Sequence, residues 1–282
     1  MNILDSKSDD YKRWKELKLA NFTKDVSKLT IDIKNPHNLS KNEASKCSDI
    51  IERGNILFFR LGNQYDDIKD VLLKLSKQFG MDDFEILESS EKSGLTKIEV
   101  SHENKIKSEY VPYTNKALNW HTDGYYNEVS DPILSWMLFC HSDSDIGGEN
   151  RFIDHEIVYI LFNEISDSLN DLLLEQAFTI PENKNNSRRE ISGYVFKLLS
   201  NKLHMRFTMR ERNIIWNKKI MKSIKLLKSI ILENEDYQIK YKLKPNEGVI
   251  SNNIIHMRTS FTNSDNKNRL LYRLRSKKRI NV

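Results

Sequence analysis

The first chemical signal in this chain is a histidine and an aspartate two residues apart. The stretch "NWHTDGYY", residues 119–126, contains His121 and Asp123. On an extended backbone, residues i and i+2 project to one face, so an imidazole and a carboxylate can reach one metal from a single strand. Trp120 and Thr122 then point the other way. Two ligands make a weak site, and a third must come from elsewhere. A two-histidine, one-carboxylate set fits non-haem Fe(II) and leaves three positions open for other ligands and O2. An isolated H-x-D arises readily by chance, and its bland reading is a polar turn.

The chain has seven histidines, at 37, 102, 121, 141, 155, 204 and 256. His37 sits in a polar, proline-containing loop. His102 lies beside Glu103, His141 ends a strand, and His155 falls in the first turn of a helix. His204 stands on the polar face of an alternating strand, where a structural and a substrate-facing role both remain open. His256 differs, because it closes the apolar run "GVISNNII". Beyond it, "NRLLYRLR" places Arg269, Leu271 and Arg273 on one face of a strand. Two guanidiniums on one face are costly to bury without anions. Either they are solvated, or they bind carboxylates in bidentate fashion.

The elements that must position these residues can be read from periodicity. Residues 8–22 read as a short charged helix and 29–33 as a strand. Ser40 and Glu43 form a capping box for a helix ending before Gly54. "NILFFRL" (55–61) reads as an apolar strand, and 66–78 as a helix stopped near Gly80. Strands follow at 96–102 and 131–141, the second buried on both faces. "DIGGEN" (145–150) is a turn. Asp154 caps a helix through Phe162, and a second helix covers 167–176. Residues 183–190 form a polar loop. "KLHMRFTMR" (202–210) alternates, with His204, Arg206, Thr208 and Arg210 on its polar face. An amphipathic helix covers 217–234, and "EGVISNNIIHM" and "RLLYRLR" finish the chain as strands. The order implies a single α+β domain, a β-sandwich or barrel decorated by helices.

Composition narrows the partners. The chain has 282 residues, 38% hydrophobic and 10% aromatic, enough for a sizeable core. Its net charge of +5 comes from lysines interspersed with acids, which reads as solvated surface and not as a nucleic-acid interface. Two cysteines, Cys47 and Cys140, stand far apart, as expected for a reducing cytoplasm. The N-terminus lacks the apolar core of a signal peptide, and no run approaches a membrane span.

In order along the chain, four segments together resemble the TauD/TfdA (taurine dioxygenase, clavaminate synthase-like) family of Fe(II)/2-oxoglutarate-dependent dioxygenases. They are "WHTDGYY", "GGEN", "GVISNNIIHMR" and "NRLLYR". The resemblance covers about residues 50–280 and is weakest from 160 to 245. It implies a double-stranded β-helix (jelly-roll, cupin-like) core with flanking helices, one domain over 1–282, and a helix-containing insertion at about 160–245 between the metal motifs. It implies that His121, Asp123 and His256 bind Fe(II). Arg269 would then hold the distal carboxylate of 2-oxoglutarate, and Arg273 would contact an anionic group of the prime substrate. Asn150 departs from the family's G-G-x-T turn, yet its amide could still donate to a cosubstrate carboxylate. The implied chemistry uses O2 and 2-oxoglutarate, releases succinate and CO2, and oxidises a substrate C–H bond. Halogenating relatives lack the carboxylate that Asp123 supplies, so hydroxylation is expected.

Tyr125, Tyr126, Arg206 and Arg210 join Arg273 as candidate substrate contacts, for a small anionic or zwitterionic molecule. Their bland readings are ordinary packing for the tyrosines and a solvated sheet face for Arg206 and Arg210. Two alternatives stay open: the same chemistry on a residue of a protein, peptide or nucleic acid, and a silent metal- or oxo-acid-binding sensor. A homo-oligomer is compatible with the sequence.

Overall fold

The apolar runs at 55–61 and 131–141 need cover on both faces, and the fold supplies it. In this computed structural model, residues 3–86, 90–100, 111–182, 188–212, 214–264 and 268–282 are described. The early strands are β1 (Thr30–Ile33), β2 (Ile56–Leu61), β3 (Thr96–Ile98), β4 (Leu118–His121), β5 (Ser135–Ser142), β6 (Ile146–Gly147) and β7 (Asn150–Ile153). Next come β8 (Phe178–Ile180), β9 (Ile191–Gly193), β10 (Phe196–Leu199), β11 (Lys202–Met205) and β12 (Ile215–Trp216). The last are β13 (Ile239–Tyr241), β14 (Glu247–Ser251), β15 (Ile255–Arg258), β16 (Phe261–Thr262) and β17 (Leu270–Ser276). The helices are α1 (Asp9–Ala20), α2 (Lys41–Gly54), α3 (Ile68–Gln78), α4 (His155–Ile165), α5 (Leu169–Leu172) and α6 (Met221–Glu233). The fold is α+β.

Two sheets frame the site. One has six strands in the order β1-β2-β14-β5-β17-β3, and the other has four in the order β13-β7-β15-β4. Only the β1–β2 pairing within them is parallel. The period of two along each strand sorts the side chains of the larger sheet. Leu57, Phe59, Met137, Phe139, Ile250, Tyr272 and Leu274 face out, under Cys47 and Ile51 of α2 and Val71, Leu72 and Leu75 of α3. Ile56, Phe58, Trp136 and Val249 face in, toward Phe152, Ile239 and Ile254.

Capping explains where α2 sits. Ser40 accepts from the Glu43 backbone, and the Glu43 carboxylate accepts from the Ser40 backbone, as the sequence predicts. The helix runs one residue further than expected and includes Gly54. The left-handed residue that ends it is Asn55, at φ 56°. Asn55 then donates to Asp154, the N-cap of α4. Lys18 of α1 closes on the same buried corner, 2.6 Å from Asp154 and 2.5 Å from Glu156.

Several predicted elements are shorter or broken. The helix expected over 167–176 is only α5. The helix expected from 217 starts at Met221, because Asn217 first caps a 3-10 turn over Lys218–Ile220. The helix after Asp154 continues past Phe162 to Ile165. "EGVISNNIIHM" is not one strand. Asn253 takes a left-handed φ of 54°, which asparagine tolerates, and the chain passes from the six-stranded sheet into the four-stranded one. β3 ends at Ile98, and the rest of the expected 96–102 strand lies partly outside the described residues, as does most of the 183–190 loop.

The chain between β7 and β13 packs α4, α5, β8–β12 and α6 into one cluster that also takes in Trp120, Tyr125 and Ile255. This cluster is stitched to the free edge of β4. Thr122 N–H donates to Phe207 O, Met209 N–H to Trp120 O, and Phe207 N–H to Thr122 Oγ1. The bland reading of the polar face in 202–210, solvation of Arg206 and Arg210, fails for Arg206. His204, Arg206 and Thr208 are buried. Among the described residues, no helix is long and apolar enough to cross a membrane.

Candidate metal centre

β4 and β15 run side by side, with His121 opposite His256. The register between them shifts before Arg258 pairs with Leu118, so a bulge lies at the site. Asp123 sits in the turn just after β4, and its side chain still returns to the His121 side. The ligand atoms of His121, Asp123 and His256 all lie within 4.8 Å of one another. His121 Nε2 is 3.6 Å from Asp123 Oδ1, and the two imidazole centroids are 4.3 Å apart.

Backbone carbonyls set the tautomers. His121 Nδ1 pairs with Asn119 O at 2.8 Å, and His256 Nδ1 with Ile254 O at 3.0 Å. With the proton on Nδ1, each Nε2 keeps its lone pair for a metal. Burial, with His121 nearby, pushes His256 down to about 3, so its ring is neutral. Trp136 packs 4.8 Å from the His256 ring and fixes its tilt.

Asp123 is held as a carboxylate. Burial alone would raise it, but Arg273, helped by His121 and Arg275, keeps it well below the usual range. Arg273 Nη1 lies 3.6 Å from Asp123 Oδ2, an ion-pair distance that is too long for a hydrogen bond. Oδ2 is thus a buried acceptor without a hydrogen-bond partner among the described residues. Two imidazole lone pairs and one such oxygen form a donor set that fits Fe(II).

A small cleft of about 50 Å³ opens beside Asp123 and His256, between the two sheets. Asp123, His256, Asn150, Arg258, Arg269 and Arg273 supply its polar lining. The alternation in β17 brings Arg269, Leu271 and Arg273 into it together, as the sequence implies. Arg269 is buried, which lowers it to about 10, and it lies 4.9 Å from the centre of the Phe261 ring. Asn150 is also buried, and its Nδ2 has no hydrogen-bond partner among the described residues. The "GG" before it is needed for close approach. Gly147 and Gly148 take φ of 69° and 75°, and a Cβ on Gly147 would meet Ser260 O at 2.1 Å.

The other candidate residues sit outside this cleft. Arg206 donates to the carbonyls of Tyr125 and Asn127, and it lies over the rings of Phe178 and Tyr194. It pins the turn that follows Asp123. Tyr125 is buried in the insertion cluster beside Thr208 and Arg210. The Tyr126 hydroxyl accepts from Arg275 at 2.9 Å, and Arg188 lies 5.7 Å from its ring centre. His204 is structural, bonded to Tyr194 Oη and Ile133 O.

Sequence reasoning missed Arg258, Asn253 and the Glu85–Arg275 ion pair. Arg258 was legible in principle, since it stands two residues after His256 on one strand. Glu85 and Arg275 are too far apart in the chain for any local pattern.

The sequence matches the family model described as "Taurine catabolism dioxygenase TauD, TfdA family" over residues 16–275, and the chain belongs to that family. A search of curated proteins finds no significant match. Among solved structures, the non-heme iron oxygenase OrfP with Fe, succinate and (3S)-hydroxy-L-Arg is similar at 13% identity and TM-score 0.62, over 84% of this chain and 81% of that one. An asparagine oxygenase with Fe(II), 2S,3S-3-hydroxyasparagine and succinate is similar at 13% identity and TM-score 0.60, over 96% and 92%. A taurine dioxygenase from Burkholderia xenovorans gives 13% and 0.59, over 91% and 89%.

Proposed function

We propose that this chain is an Fe(II)- and 2-oxoglutarate-dependent dioxygenase that hydroxylates a small amino-acid-like molecule, releasing succinate and CO2. The core is read as a double-stranded β-helix within one domain over 1–282, with about 160–245 as a substrate-side insertion. The observation that carries this reading is the convergence of His121, Asp123 and His256 at the head of a cleft that also holds Arg269.

His121, Asp123 and His256 would hold the iron, which supplies O2 activation when bound. Arg269, buried in the cleft lining, would take the distal carboxylate of the oxo acid. Asn150 offers in the same cleft an amide donor without a hydrogen-bond partner among the described residues. Arg273 offsets the charge of Asp123 and would meet an anionic group of the substrate. The sheets and the insertion keep bulk water from the triad. The solved relatives carry small hydroxylated amino acids, which favours a small-molecule substrate over a macromolecular one.

The test is anaerobic addition of Fe(II) and 2-oxoglutarate, followed by air and a panel of amino acids, sulfonates and carboxylates. A weak visible charge-transfer band and substrate-stimulated succinate release are expected. Absence of the band would sink the cosubstrate assignment. The band without succinate release on any panel member would favour a sensor.

A further inference from the structure

Arg258 follows His256 by two residues on β15 and enters the same cleft. Its Nη2 donates to Thr114 O at 2.9 Å and Lys116 O at 2.6 Å, and its Nη1 lies 3.4 Å from Pro112 O. These three carbonyls belong to the strap that leads into β4 and His121. Its Nε is buried without a hydrogen-bond partner among the described residues. Arg258 and Arg269 both lie over the Phe261 ring, each 4.9 Å from its centre.

The charges do not balance. Arg258, Arg269 and Arg273 line the cleft, and Asp123 is its only acidic lining residue among those described. Arg273 is already paired with Asp123, and Asp143 offsets part of the charge of Arg269, which leaves Arg258 as the lining cation with no carboxylate partner among the described residues. With both guanidiniums over one ring and lining one cleft, the like charges of Arg258 and Arg269 repel each other. Carbonyl oxygens soften a buried cation but do not neutralise it. An anion entering beside Arg269 relieves this repulsion. A neutral group entering there leaves it in place.

We propose that Arg258 is a specificity-determining positioning residue for the cosubstrate. It is a second positive charge behind Arg269 that makes the cleft select an oxo acid with a distal carboxylate. This rests on reading the cleft as an oxo-acid pocket. The role is electrostatic, so it differs from simply holding the 112–116 strap in place.

The experiment titrates 2-oxoglutarate and 2-oxopentanoate, which lacks the distal carboxylate, anaerobically into the Fe(II)-loaded protein. The charge-transfer band gives the affinity ratio. Arg258→Gln is expected to cut the preference for 2-oxoglutarate roughly tenfold or more, with 2-oxopentanoate affinity little changed. Arg258→Lys keeps a positive charge at this position and should retain most of the preference at about pH 7. Equal loss of both oxo acids in the Gln variant, or a Lys variant that loses the preference as fully as the Gln variant, would overturn the proposal. If Arg258→Gln fails to fold, the Lys variant decides alone. Wild type that binds neither oxo acid would overturn the pocket reading itself. Wild type that binds 2-oxoglutarate while the variants keep its ratio overturns only the role of Arg258.

Discussion

The Asn253 side chain grips Asp123 by its own peptide groups. Asn253 Oδ1 accepts from Asp123 N at 2.8 Å, and Nδ2 donates to Asp123 O at 2.9 Å and to Ile133 O at 2.7 Å. Asn253 lies three residues before His256, so one amide ties the aspartate turn to the strand of the distal histidine. Gly124 makes room for this, since a Cβ there would meet Ile133 Cγ1 at 2.5 Å. Asn253→Gly keeps the left-handed backbone and removes the grip. It should weaken Fe(II) or Co(II) binding about tenfold, on the order of 1.4 kcal/mol, in anaerobic titrations. Unchanged metal affinity would show that the triad holds its geometry without this residue.

Metal binding should report on stability. At about 100-fold excess of Fe(II) over its Kd, linkage adds about 2.7 kcal/mol and raises Tm by roughly 5–10 °C. A chelator should reverse the shift. His256→Ala should show no shift at all, and a shift that survives in that variant would place the metal elsewhere.

His204 governs part of the acid limb. Burial lowers it to about 3 from an ordinary 6.5. Above 6.5 both folded and unfolded states are neutral, and His204 adds no pH dependence. Between about 6.5 and 3 the unfolded chain binds a proton that the folded chain does not, so stability falls as pH falls. The slope is about 1.4 kcal/mol per pH unit in that window. Denaturation of His204→Gln across this range should show a shallower decline than wild type. Parallel curves for the two proteins would contradict this account.

The Lys18 corner should be the most fragile point remote from the site. Burial raises the Glu156 carboxyl, but Lys18 and His155 outweigh it and bring it to about 2. The stability it contributes is present above 4.5 and is lost as pH falls through about 2. Lys18→Met removes the cation that bonds both Asp154 and Glu156 and leaves the buried pair only the more distant charge of Arg279, at a cost of about 3–5 kcal/mol. Chemical denaturation should also place the acid transition of this variant at higher pH. A Lys18→Met protein as stable as wild type would mean that water already reaches the pair.

Much of the site was readable because strand alternation survives folding. His121, His256 and Arg273 lie on the strand faces that a period of two assigns them, and Asp123 just after β4 and Arg269 just before β17 keep to the same side. The same rule says nothing about which face a later segment will cover. Alternation left Arg206 between a solvated and a substrate-facing reading and His204 between a structural and a substrate-facing one, whereas their partners include the carbonyls of Tyr125, Asn127 and Ile133. The Asn253 grip spans 130 residues, so no local pattern encodes it. The break at Asn253 was equally hidden, since "SNNIIH" reads as continuous strand until the two sheets demand a turn.

The stitching of residues 207–209 onto β4 has a consequence for anyone who would shorten this protein. β4 is otherwise an outer strand, and its unpaired amides would form a template for a second chain. The insertion therefore acts as a cover against self-association as well as a wall. A minimal version lacking it should aggregate through the very strand that carries His121, unless charged residues or a proline blunt that edge.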